Sequence, residues 1–126
     1  MAKIKNSDII ETYKALSNLI YFGKFKAAVG FSLIKNKNRL KEAVEVIEES
    51  RLSILRSLAD KDEKGNPIVD NGNYVVSNKE ELSELLSELF NIESEVDIIP
   101  IQLEDIAEVE IRGKDLDTLS ILLEVR

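Results

Sequence analysis

Residues 24–60 read KFKAAVGFSLIKNKNRLKEAVEVIEESRLSILRSLAD and run without a proline into KDEKGNP at 61–67. The first string has helical periodicity and the second holds residues that stop a helix, so together they predict one long helix with an abrupt end. In its second half Leu40, Val44, Ile47, Ile54 and Leu58 fall at spacings of four, three, seven and four, the rhythm of a coiled-coil seam. Arg51 stands at the missing seam position. A polar residue inside a seam can set register or oligomeric state, whereas an arginine at its exposed edge lays its stem over apolar neighbours; the second reading is preferred. These six residues are the candidate oligomer interface.

A continuous helix over 24–60 would be about 55 Å long. A globule of 126 residues cannot cover it end to end, so an extended shape or a homo-oligomer is expected. Upstream, Asn6, Ser7 and Asp8 are competent N-caps, and Ile9, Tyr13, Leu16 and Ile20 repeat on one helical face. Gly23 follows the last periodic residue and suits a helix end. The chain is therefore expected to turn there and form an antiparallel helical hairpin. Between 24 and 37 Phe25, Ala28, Val29, Phe31, Leu33 and Ile34 spread around more than one side, which predicts deeper burial of that stretch. Gly30 within it marks a bend or a close backbone approach.

Downstream, Gly65 and Pro67 cannot continue the helix, and Asn71-Gly72 between short β-branched runs predicts a type I′ hairpin with Tyr74 as its anchor. Ser77 with Glu80, or Asn78 with Glu81, has capping-box spacing and opens an acidic amphipathic helix carrying Leu82, Leu85, Leu86 and Leu89. Val96, Ile98 and the pair Ile99-Pro100 lead to Ile101 and Leu103, whose alternation predicts a strand with Pro100 at an edge or bulge; Val109 and Ile111 predict a second, and residues 113–125 a C-terminal helix. The fold class read from this pattern is α+β, mainly α, as one domain over 1–126: a helical hairpin over 1–60 and a small α+β half over 61–126.

Charged residues make up 33% of the chain and the net charge is −7, the composition of a folded, soluble protein. Residues 1–41 hold nine Lys or Arg against Asp8 and Glu11, a balance of +7 that leaves −14 for the remainder. That polarity drives head-to-tail association, recruits an anion, or reflects solvated helix faces. No apolar run reaches bilayer length and the first residues, MAKIKN, lack a signal-peptide core, so a cytoplasmic protein without membrane contact is expected. The absence of Cys and His removes disulfides, thiol nucleophiles, imidazole triads and the usual zinc sites. No phosphate-loop glycine spacing or nucleophile elbow is present, and the pairs Glu48-Glu49, Asp62-Glu63 and Glu104-Asp105 read as solvated surface. No enzyme, cofactor or metal is expected.

The constellation that remains is Tyr21, Lys24, Phe25 and Lys26 with Lys35, Lys37 and Arg39, aromatics beside cations as in sites that stack a base and hold phosphates. The competing account has Phe22 and Phe25 closing the hairpin while the lysines keep it soluble. The overall acidity disfavours duplex nucleic acid, and the acidic second half admits a further reading as a nucleic-acid mimic that inhibits a host enzyme.

The order of these elements resembles that of small uncharacterised proteins encoded by phages and prophages of Gram-positive bacteria. The likeness lies in KIKNSDII at 3–10, IKNKNRLKEAVEVIEESRLSIL at 34–55, DKDEKGNPIVDNGNYVV at 60–76 and ELLSELFNIESEVDIIPIQLEDI at 84–106; GKDLDTLSILLEV at 113–125 departs from it in lacking a proline before the last helix. The resemblance implies the cytoplasm of a bacterial host and a protein that acts by binding, with a host or phage protein as partner. A counter-defence protein that sequesters a nucleotide-like signal is the alternative.

Overall fold

The computed structural model describes residues 2–106 and 113–124. It is an α+β fold dominated by helix. A short strand, β1 (Ala2–Lys5), leads directly into α1 (Asn6–Phe22), and residues 23–26 turn the chain into α2 (Ala27–Leu58). α2 packs back along α1 as the other arm of an antiparallel hairpin. α1 buries Ile9, Thr12, Leu16 and Leu19 at three, four and three, while Tyr13 and Ile20 lie half-buried at the edge of that stripe.

α2 is continuous through Gly30, whose N–H donates to the Lys26 carbonyl at 2.9 Å. A Cβ built on Gly30 would meet only Phe25 Cβ at 3.9 Å, so no neighbouring backbone requires a glycine there. The helix stops at Leu58, before Gly65 and Pro67. Asp60 ends it: its N–H donates to the Val75 carbonyl, its carbonyl accepts from Ile68 N–H, and its carboxylate accepts from the Ser77 N–H and hydroxyl. The turn beyond is closed by Asp62, whose Oδ1 accepts from the Lys64 and Asn66 N–H groups at 2.9 Å each.

β2 (Val69–Asp70) and β3 (Asn73–Tyr74) pair across Asn71 at φ 52° and Gly72 at φ 80°, the type I′ geometry that an Asn-Gly turn favours. The ribbon is held to the end of α2 by Arg56 Nε, which donates to the Tyr74 hydroxyl at 3.1 Å. Asn78 then caps α3 (Lys79–Asn91), its side chain accepting from Glu81 N–H. Ser77, the other cap candidate, is taken by Asp60.

α3 starts beside the end of α2 and finishes beside the start of α1, where Asn6 Nδ2 donates to the Leu89 carbonyl at 2.8 Å. It therefore runs back over the half of α2 that α1, about 26 Å long, cannot reach. This settles the fate of the seam. Leu40 and Ile47 lie in the chain's own core, Val44 and Ile54 pack against it, and Leu58 is half-buried. Arg51 sits at the seam edge and turns outward to Glu48.

After α3, β4 (Glu93–Val96) pairs antiparallel with β1, with Ile4 opposite Ser94 and Ala2 opposite Val96. Their inner face carries Ile4 and Val96 into the core, and their outer face sets Lys3 against Glu95 and Lys5 against Glu93, opposite charges directly across the ladder. β5 (Ile101–Gln102) passes into a 3-10 turn over Leu103–Asp105, so the strand expected to reach Leu103 ends before it. The C-terminal helix is shorter than expected: α4 (Gly113–Leu119) gives way to a 3-10 turn and then to β6 (Leu123–Glu124), which pairs parallel with β5. Val109, Ile111 and Val125 lie outside the described residues. The core gathers Ile4, Leu16, Leu33, Leu89, Ile101 and Leu122 from all parts of the chain.

Candidate functional site

The most exposed aromatic surface lies at the closed end of the helical hairpin. α1 ends at Phe22, and Gly23 continues in extended conformation. A Cβ on Gly23 would fall 2.4 Å from Phe25 Cζ and 2.7 Å from the Leu19 carbonyl oxygen, so the glycine makes room for the Phe25 ring to fold back onto the core. Phe25 is half-buried there and closes the hairpin. Phe22 does not share that task. Tyr21 and Phe22 are 81% and 77% exposed and meet edge to face with ring centroids 4.8 Å apart.

Two lysines flank this aromatic pair, Lys24 and Lys26, both exposed. On the first turns of α2, Phe31 is 62% exposed, and Lys35 Nζ stands 5.1 Å from its ring centroid, within range of a cation–π contact. Ile34 and Ala28 are exposed too, so the expectation of deeper burial over 24–37 fails for three of its six residues. Leu33 alone of that group is fully buried. The inward line is Leu33, Asn36 and Leu40, and residues 31 and 34 sit well around the helix from it at 100° per residue.

Of the seven residues grouped from sequence, Tyr21, Lys24, Lys26 and Lys35 are exposed toward one end of the hairpin. Phe25 belongs to the core. Arg39 faces the segment after β4, donating to the Asp97 carbonyl at 3.0 Å and pairing with its carboxylate at 3.4 Å. Lys37 is half-buried on the far side of α2 from Phe31. Between them Asn36 is fully buried: its Nδ2 donates to the Ile99 carbonyl and its Oδ1 accepts from Ile99 N–H, each at 2.8 Å. Helical spacing gives no sign of that asparagine's role, because its partner is distant in the chain.

Two open clefts lie elsewhere. A groove of about 310 Å³ between α2 and β4 is lined by Arg39, Glu42, Val46, Glu95 and Asp97. A cleft of about 560 Å³ between α1 and α4 is lined by Asp8, Glu11, Thr12, Asp117, Thr118 and Ser120. In the second the Thr12 hydroxyl donates to the Thr118 carbonyl at 3.5 Å, and among the described residues no group of three or more acidic side chains is arranged to hold a metal ion. Displaced ionisations belong to surface pairs on α2. The hydrogen bond from Arg51 holds the Glu48 carboxyl below its usual value and raises the Arg51 guanidinium, while the Tyr74 hydroxyl raises Arg56. No helix among the described residues is long and apolar enough to cross a membrane. No protein-family model, curated protein or solved structure matches the chain.

Proposed function

We propose that this chain is a non-catalytic binding protein of phage or prophage origin that self-associates and uses the closed end of its helical hairpin to engage a host or phage protein. The observation that carries the reading is the exposed pair Tyr21 and Phe22, followed in the chain by the exposed Lys24 and Lys26. Two large aromatic rings in water are costly on a protein with no binding task, and aromatic residues are the side chains most enriched at the centre of protein interfaces. The flanking lysines favour a partner with an acidic rim. The bacterial origin rests on the sequence resemblance alone.

The test is a paired comparison. Tyr21→Ser with Phe22→Ser removes the rings from solvent-exposed positions, so thermal stability should stay within about 0.5 kcal/mol of the parent. Complexes recovered with the tagged parent from an infected host should be lost with this variant, and Lys24→Glu with Lys26→Glu should weaken them in a salt-dependent way. Retention of the same complexes by both variants rejects this surface. A saturable rise in melting temperature with a linear or cyclic nucleotide, abolished by Lys35→Glu, would instead support sequestration of a nucleotide-like signal.

A further inference from the structure

We infer that the outward face of α2 seats the α2 of a second copy of this chain, antiparallel and about a two-fold axis between residues 41 and 42. The inference rests on the self-association proposed above and assigns it to a surface other than the Leu40–Leu58 seam, which the protomer fills itself. Positions 31, 35, 38, 42, 45, 49, 52 and 56 are all exposed. Their spacings alternate four and three, the repeat by which two helices follow one another. Val46 and Leu52, 61% and 45% exposed, extend the apolar surface of this face beyond Phe31 and Ile34.

Charge decides the occupant. The first half of the face carries Lys35 and Lys41 without an acid, whereas the second carries Glu42, Glu45 and Glu49 with Arg56. A parallel copy would set Lys35 on Lys35 and Glu45 on Glu45. An antiparallel copy centred between 41 and 42 sets each Lys41 against Glu42 of the other, each Lys35 beside Glu49, and Phe31 against Leu52. The face is complementary to itself in one orientation, as a two-fold interface requires. It is also small: the roughly 26 residues of 31–56 at 1.5 Å each and a width of about 10 Å give on the order of 400 Å² per copy, half of a standard interface. Association is therefore expected to be weak, reversible and sensitive to salt. In the dimer the two hairpin ends point in opposite directions about 45 Å apart along the helix axes, which makes the assembly a bivalent binder.

Sedimentation velocity on the full chain tests this. The parent should move from one-chain to two-chain mass as its concentration rises at low salt, and the dissociation constant should rise about tenfold or more at 0.5 M salt. Glu42→Lys with Glu49→Lys should stay monomeric, as should Lys35→Glu with Lys41→Glu. An equimolar mixture of the two variants should dimerise. All four positions are exposed, and circular dichroism verifies that the helices persist. A dimer unaffected by either double reversal overturns the assignment to this face while leaving self-association standing. A parent that stays monomeric at 0.2 mM and low salt overturns both.

Discussion

Gly23 and Gly30 sit one on each side of the hairpin turn, and substitution by alanine should act on them in opposite directions. At Gly23 the new methyl group collides with the Phe25 ring and with the Leu19 carbonyl, a backbone atom that cannot swing away. Gly23→Ala should cost about 1–3 kcal/mol through displaced core packing. At Gly30 the methyl group enters free space in a helix interior, so Gly30→Ala should stabilise by about 0.5–1 kcal/mol. Chemical denaturation of the two variants beside the parent reads both. Asn36 makes a sharper case. Asn36→Ala leaves the Ile99 N–H and carbonyl without their partner and should cost about 2–4 kcal/mol. In Asn36→Asp the acid loses the donor to the Ile99 carbonyl and is buried, so its pKa lies above the ordinary carboxylate value. The fold then favours the protonated form, and this variant should be most stable below about pH 4 and lose stability as the pH rises through the raised pKa. An Asn36→Asp protein equally stable at pH 4 and pH 7 would contradict this account. A reader of the sequence sees the glycines, yet their opposite roles depend on where Phe25 folds. Asn36 is legible only as a polar residue on a helix.

The elements differ in how firmly the rest of the molecule holds them. α1 and the first half of α2 share a core with β4, β5 and α4. The ribbon of β2 and β3 instead presents Ile68 and Val69 to solvent and is tied down through Asp60, Arg56 and Tyr74. It should open locally, well below the free energy of global unfolding. In hydrogen exchange the amides of residues 69–74 should exchange at least tenfold faster than those of 9–19. Asp60→Ala, which removes the acceptor for Ser77, should speed the ribbon further and leave α1 unchanged. Equal protection of the two regions would show that the ribbon is part of the global unit. Element types were readable where their signals are local: the Asn71-Gly72 turn and the period of α1 and α2 each depend on residues within four positions, whereas the choice of Asn78 over Ser77 as cap depends on Asp60, 17 positions before Ser77. β1 and β4 were not. Ala2–Lys5 and Glu93–Val96 carry mostly charged outer faces, and each becomes a strand because the other lies beside it.

At the scale of the molecule, described residues far apart in the chain close on one another. Asn6 reaches Leu89 and Ser94, and Asn36 reaches Ile99. β1 is paired by β4, and β5 by a strand at the far end of the chain. Buried asparagines thus join the helical hairpin to the α+β half, Asn6 at the carbonyl of Leu89 near the end of α3 and Asn36 at the N–H and carbonyl of Ile99. The same closure supplies α3 as the cover for the second half of α2, and Leu40 and Ile47 of the apparent interchain seam lie in the core. It also leaves the opposite face of α2, with basic and acidic halves in sequence, exposed. The amino-acid sequence by itself determined the periodicity of α1, α2 and α3, the type I′ turn and the charge polarity, because turn geometry and periodicity act between neighbours in the chain. Only the tertiary structure decided which apolar residues of α2 face inward and which asparagines clamp the halves together. It also left Tyr21 and Phe22 in solvent. Those outcomes depend on contacts between residues tens of positions apart, and the sequence pattern of one helix does not encode which neighbour will cover it.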